Sequence, residues 1–140
     1  MPKILVIPGS LRAQSCNWRL AALVCKELTL ADADVTRISL VDYPLPIYDA
    51  DVAEESDPPQ NALRLKQMMS AHHGVFLASP EYNASLAPLV KNMIDWISVV
   101  RERGEPSWPP FATVSLLWVA HRLDARAPCS HYWRCARCWP

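Results

Sequence analysis

Glycine is nearly absent from this 140-residue chain, with three residues, Gly9, Gly74 and Gly104, all before position 112. So few glycines leave no Gly-x-Gly-x-x-Gly dinucleotide fingerprint, and no Walker Gly-Lys-Ser/Thr loop is present. Both absences disfavour ATP and a Rossmann-type NAD site. Net charge is also missing: 14 Lys and Arg balance 14 Asp and Glu. No basic field argues for nucleic acid, and no acidic field argues for a cationic partner. The start of the chain, Met1-Pro2-Lys3, passes directly into Ile4-Leu5-Val6-Ile7. That apolar run is too short for a signal-peptide core or a membrane span, so no membrane is expected and cytoplasm is the default compartment. Five cysteines form no evident disulfide framework, since Cys16 and Cys25 stand alone and Cys129, Cys135 and Cys138 crowd the last dozen residues. No Ser-His-Asp set or persuasive Cys–His pair offers a nucleophile, and no catalytic acid–base pair is expected.

What is present reads as one soluble, globular domain, at 51% hydrophobic and 20% charged residues. Lys3–Ile7 is a continuous apolar run of the buried, parallel-strand type, ended by Pro8-Gly9-Ser10. Leu20, Leu23, Val24 and Leu28 recur at helical spacing and predict a helix over 15–28. Val35–Leu40 is a second strand candidate. Residues 42–59, dense in proline and acid, read as a loop. Leu63, Leu65, Met68 and Met69 give a second helix, with His72 and His73 at its C-terminal end, where they favour the helix dipole. Gly74–Ala78 is a third buried strand, and 79–83 a loop. Leu86, Leu89, Val90, Met93, Ile94, Ile97 and Val100 mark a third helix that tolerates Pro88 in its first turn. Thr113–Val119 is a fourth strand candidate. Strands and helices that alternate in this way imply an α/β fold, with a parallel sheet covered on both faces. Ligands of such folds sit beyond the carboxyl ends of the strands at the switch point, here the loops after Ile7 and Ala78.

The first of these loops is Gly9-Ser10-Leu11-Arg12-Ala13-Gln14-Ser15-Cys16-Asn17. Hydroxyls at Ser10 and Ser15, the Asn17 amide, the Arg12 guanidinium and the first N–H groups of a helix together suit a phosphate monoester. Helix capping alone would account for Ser15 or Asn17, but not for all four. The second loop runs Ser79-Pro80-Glu81-Tyr82-Asn83-Ala84-Ser85, and Pro88-Leu89-Val90-Lys91-Asn92-Met93-Ile94-Asp95-Trp96 follows it. A third patch is Leu45-Pro46-Ile47-Tyr48-Asp49-Ala50-Asp51.

These three segments, in order and at their spacing, resemble the NADPH-dependent FMN reductase family of flavodoxin-like proteins, which includes small quinone, chromate and azo-dye reductases. The likeness covers roughly residues 3–111. Val90 and Met93 stand where the family more usually has Leu and Ala. The resemblance implies a flavodoxin-like doubly wound parallel sheet of order 2-1-3-4. It implies an FMN cofactor held by Ser10, Arg12, Ser15 and Asn17 at the phosphate and by Pro80, Glu81, Tyr82, Asn83 and Ser85 around the flavin ring. NADPH or NADH is then the co-substrate, and a flavin, quinone or similar small molecule the electron acceptor. Hydride passes to the flavin, so protein residues position rings rather than perform chemistry. The structural alternative is that Glu81 caps the next helix and Tyr82 is a packing aromatic. Asp95 and Trp96 read as structural; the resemblance implies dimerisation through this helix region, and a homodimer or tetramer is expected. Cys16 has no role in the resemblance.

Past residue 111 the pattern changes. From Ala112 to Pro140 there is no Gly and no Lys, yet three of six Trp and three of five Cys fall here. The Gly-rich loop, fifth strand and last helix implied by the resemblance have no counterpart. Such a composition fits an out-of-frame reading of a GC-rich gene from near residue 112 that stops early. The expected organisation is therefore an incomplete FMN-binding domain over 1–119 and an atypical tail over 120–140. A zinc knuckle at Cys129, His131, Cys135 and Cys138 is a rival reading of the tail. An FMN electron carrier and a fragment without function remain alternatives to a reductase. Carriers, however, usually have a Thr/Ser-Gly-Asn-Thr phosphate loop, and this chain has none.

Overall fold

A computed structural model describes residues 1–100 with their side chains and residues 115–121 and 132–135 as backbone strands. The elements are β1 (Lys3–Pro8), α1 (Cys16–Leu30), β2 (Asp34–Arg37), a 3₁₀ turn (Leu40–Asp42), α2 (Ala50–Glu55), α3 (Gln60–Ser70), β3 (Gly74–Tyr82), β4 (Ser85–Leu86), α4 (Pro88–Val99), β5 (Ser115–His121) and β6 (Tyr132–Cys135). The sheet runs β2-β1-β3-β5-β6, and β4 pairs only with β3. β1, β2, β3 and β5 are mutually parallel. This is the expected 2-1-3-4 order of a flavodoxin-like sheet. β6 pairs antiparallel with β5, Leu117 opposite Cys135 and Ala120 opposite Tyr132, and lies within the segment expected to be atypical.

Strand alternation divides the core between two faces. Leu5, Ile7, Val75 and Leu77 point to the side covered by Leu65 and Met69 of α3 and by Val90, Met93 and Ile97 of α4. Val6, Phe76 and Ala78 point to the other side, against Leu20, Ala21, Val24 and Leu28 of α1. Burial of each of these large aliphatic side chains contributes about 1.5–3 kcal/mol.

Several boundaries differ from the sequence reading. The segment read as a loop over 42–59 contains α2, started by Asp49, whose Oδ1 accepts the Asp51 N–H at 3.0 Å. An aspartate in that position is a favoured N-cap. β2 ends at Arg37, because Ser39 turns the chain by accepting the Val41 N–H on Oγ. β3 continues past Ala78 to Tyr82, since its backbone pairs with β5 as far as Pro80 opposite His121 and then folds back onto β4. α3 ends at Ser70, so His72 and His73 lie just beyond it. The His72 ring nitrogen meets the Met68 carbonyl at 2.5 Å, and His73 Nδ1 accepts the Lys3 N–H at 2.8 Å. Among the described residues no helix is long and apolar enough to cross a membrane.

Candidate cofactor site

β1 and β3 are neighbours, but the chain leaves β1 toward α1 on one face and leaves β3 toward α4 on the other. Their carboxyl ends therefore meet at a topological switch point, where folds of this kind take their ligands, with the two sequence-predicted loops on either side. Gly9 brings the loops together. Its N–H donates to the Ala78 carbonyl at 2.7 Å. A β-carbon on Gly9 would lie 2.5 Å from Val90 Cγ2, 3.2 Å from the Ala78 oxygen and 3.3 Å from Ser79 Cα. Any side chain here would force Val90 to shift.

The first loop folds on itself through short-range bonds. Ser10 Oγ accepts the Arg12 N–H at 3.3 Å, and the Arg12 carbonyl accepts the Ser15 N–H at 3.1 Å. Ser15 is the N-cap of α1, taking the Asn17 N–H on its Oγ at 3.2 Å. The capping role is thus real for Ser15. It does not account for Asn17, whose side chain is 3% exposed and whose Oδ1 has no hydrogen-bond partner. Leaving a buried polar atom unsatisfied costs about 1–3 kcal/mol, so such an atom marks a missing partner. A half-turn of the amide would present two N–H donors at the same place, which suits an anion. Arg12 is exposed at the mouth of this loop. The residues present therefore fit a phosphate: a 15-residue helix begins here, the loop before it carries two hydroxyls and an exposed arginine, and one buried amide oxygen lacks a partner.

The second loop is a hairpin. Glu81 pairs with Leu86 and Tyr82 with Ser85 across a two-residue turn. Asn83 and Ala84 at that turn have φ of 53° and 60°. Two successive left-handed residues give the twist a tight hairpin needs, normally at the expense of an Asn-Gly pair. Tyr82 is 55% exposed, so it is not a packing aromatic. α4 begins at Pro88, and its N-cap residue, Ala87, has no capping side chain. Pro80 and Glu81 are half-buried, and Asn83 and Ser85 are exposed. Ser79, which the sequence reading passed over, is fully buried and braces the hairpin. Its Oγ donates to the Pro80 carbonyl at 2.9 Å and accepts the Ala87 N–H at 3.4 Å.

The third patch lies along α4. Asn92 Oδ1 accepts the Tyr48 N–H at 2.7 Å, and Asn92 Nδ2 donates to the Pro46 carbonyl at 2.8 Å. Trp96 Nε1 donates to that same carbonyl at 2.8 Å, and the Trp96 ring meets Tyr48 edge to face at 5.2 Å. Trp96 is therefore a structural residue of this chain, as expected from the sequence.

A concavity of about 280 Å³ lies elsewhere, between the end of β2 and the first turn of α1. There the Arg37 guanidinium sits 4.3 Å from the centre of the Trp18 ring, a cation–π contact. None of the sequence-predicted site residues lines it. Among the described residues no group of three or more His, Cys, Asp or Glu could hold a metal, and the cluster from Cys129 to Cys138 lies outside the described side chains.

The chain is similar to several known proteins. A 2-hydroxy-1,4-benzoquinone reductase of a Burkholderia species is 37% identical over 107 residues, 76% of this chain and 54% of the relative. A quinone reductase of Escherichia coli is 36% identical over 97 residues, 69% of this chain and 50% of the relative. The chain thus spans about half the length of these curated relatives. Among solved structures, a flavoenzyme NAD(P)H:(acceptor) oxidoreductase from Paracoccus denitrificans superposes with a TM-score of 0.61 at 31% identity, covering 84% of this chain and 60% of that one. The family model for NADPH-dependent FMN reductases matches residues 2–127, from the start of β1 past the end of β5. Carrying both loops at the switch point and matched over most of its length, the chain belongs to the NADPH-dependent FMN reductase family.

Proposed function

We propose that this chain binds FMN at the carboxyl edge of β1 and β3 and is part of an NAD(P)H-dependent oxidoreductase. Its acceptor is a quinone, a flavin or a similar small molecule. The observation that carries this reading is the buried, unpartnered Asn17 amide at the start of α1, beside Ser10, Arg12 and Ser15. With the Asn17 amide turned so that its NH2 faces the loop, a phosphate monoester accepts from it and supplies the countercharge for Arg12. Pro80, Glu81, Tyr82, Asn83 and Ser85 serve the flavin ring from the second loop. The ring's polar edge meets hairpin backbone and amide groups, while exposed Tyr82 offers an apolar cover. When bound, FMN supplies the hydride-accepting centre, so the protein's own groups hold, orient and shield it. Family membership supports NADPH or NADH as donor, and the quinone reductases among the relatives support a small-molecule acceptor. We further propose a cytoplasmic homodimer or tetramer, and a functional unit at 1–119 distinct from the compositionally divergent 120–140.

The test is flavin binding by fluorescence quenching, FMN against riboflavin. A loop that reads phosphate holds FMN more tightly by at least about tenfold, one charge-assisted hydrogen bond's worth. Equal affinities would reduce the loop to a helix cap. A chain that binds FMN but does not oxidise NADPH with a quinone acceptor would be an electron carrier or an incomplete reductase.

A further inference from the structure

Cys16 is the first residue of α1, half-buried and unpaired by any disulfide. Its neighbours in the chain are Ser15, which caps the helix, and Asn17, whose buried Oδ1 lacks a partner. Every Cα–Cβ bond of a helix tilts toward its N-terminus, so the side chains of Cys16 and Asn17 lean back toward the Gly9–Ser15 loop. The thiol and the orphaned amide thus share one helix end. The amide marks that end as a ligand site independently of the cysteine.

Resting on the reading that this loop takes the phosphate of FMN, we propose that Cys16 is a modification site that gates cofactor loading. A mixed disulfide at Cys16 excludes FMN, and bound FMN shields Cys16 from thiol reagents. The co-reactant is a small-molecule disulfide of the glutathione type. Cys16 Sγ, as thiolate, attacks one sulfur of the reagent. The reagent's S–S bond breaks, and a new bond joins Cys16 Sγ to the attacked sulfur. The other half leaves as a thiolate and takes up the proton that Cys16 released. Cysteine sulfur is oxidised as the departing sulfur is reduced, so no outside electron carrier is needed. The glutathionyl group adds bulk and negative charge at the helix end where a phosphate dianion would have to sit, and like charges repel. Reduction by a free thiol restores the site. The family resemblance assigns this position no role.

Cys25 lies on the same helix nine residues further on, roughly 13 Å along the axis at 1.5 Å per residue. It is also half-buried and free, and serves as the internal control.

The experiment uses the full chain with Cys25, Cys129, Cys135 and Cys138 replaced by Ser. The unsubstituted chain, read by peptide mass mapping, guards against misfolding of that variant. Alkylation of Cys16 by iodoacetamide is followed with and without flavin. FMN at about ten times its Kd should slow the reaction about tenfold by mass action. Riboflavin at the same concentration should slow it far less, and Cys25 in the unsubstituted chain should be indifferent to both. Treatment with oxidised glutathione should abolish FMN quenching, dithiothreitol should restore it, and Cys16→Ser should bind FMN before and after treatment. Saturable FMN quenching with unchanged Cys16 alkylation would overturn the gate while leaving the cofactor site standing. So would a glutathionylated chain that binds FMN with unaltered affinity. No FMN quenching by the reduced chain would overturn the cofactor site itself, and the gate with it.

Discussion

Gly9 and Val90 stand so close that a single added carbon on Gly9 would fall 2.5 Å from Val90 Cγ2. The contact joins the end of β1 to the first turn of α4, so it fixes the separation of the two loops between which a cofactor would lie. Gly9→Ala is expected to destabilise the fold by about 1–3 kcal/mol, as overpacking of a tight core does. Adding Val90→Ala should recover only part of this loss, because the Ala78 oxygen and Ser79 Cα remain within 3.3 Å of the new carbon. Urea unfolding of the three variants checks this. A Gly9→Ala protein as stable as the parent would show that the loops are free to part.

Asn17 and Arg12 separate ligand binding from stability. Asn17→Ala removes a buried atom that has no partner in the protein, so little stability is expected to be lost. FMN affinity should nonetheless fall by about 1–3 kcal/mol, the value of a hydrogen bond to a charged group. Arg12→Ala should weaken FMN over a similar range, and added salt should shrink the difference because Arg12 is exposed. Calorimetric titration at two ionic strengths reads both. Unchanged affinity in Asn17→Ala would leave the orphaned amide without a ligand.

The parts of this molecule legible in its sequence are those written in contiguous residues. The Ile4–Ile7 run, the apolar stripe of α4 and the Ser10–Asn17 set each carry their own periodicity or chemistry, and the sheet order follows from their alternation. The hairpin at Asn83-Ala84 was not legible, because the glycine that usually announces such a turn is absent and an alanine stands in its place. α2 was hidden among prolines, with Asp49 as its one local signal. The close approach at Gly9 depends on Val90, 81 residues away in the chain, and no local pattern encodes it.

Ala84 stores strain that can be released. A non-glycine residue in the left-handed region costs about 1–2 kcal/mol, and Ala84 has φ of 60°. Ala84→Gly should therefore stabilise the folded chain by about 1 kcal/mol, after allowance for the greater freedom of glycine when unfolded. Thermal unfolding measures it. A destabilised Ala84→Gly variant would mean that the methyl group makes packing contacts that outweigh the strain.

Cys25 gives stability a dependence on alkaline pH. Desolvation by burial pushes its thiol above the ordinary value of 9.0, against smaller opposing effects of the Arg37 charge and a backbone hydrogen bond. The folded chain thus holds this proton more tightly than the unfolded one. The contribution is complete below the ordinary thiol value and declines as pH rises past it. The parent should lose more stability than Cys25→Ala as pH climbs above 9.0. Parallel denaturation curves in the two proteins across that range would show that burial at this position does not govern the thiol.

Asn92 and Trp96 hold the acidic loop in place from one face of α4. Asn92 spends its amide on both sides of Ile47, accepting from the Tyr48 N–H and donating to the Pro46 carbonyl, and Trp96 Nε1 bonds that carbonyl a second time. The two side chains are four residues apart and so lie one above the other on the helix. Asn92→Ala leaves the Tyr48 N–H without its partner and should cost about 1–3 kcal/mol, the penalty for an unsatisfied donor in a part-buried site. Trp96→Phe keeps an aromatic ring against Tyr48 and leaves Asn92 to satisfy Pro46, so the loss of one hydrogen bond should cost only about 1 kcal/mol. Because the clamp grips the chain between the 3₁₀ turn and α2, its loss should open that segment before the sheet. Limited proteolysis should then cut Asn92→Ala between residues 43 and 56 well before the parent. Equal cleavage of the two proteins would mean that the loop is held by the packing of Leu45 and Tyr48 against Trp96 and not by the hydrogen bonds.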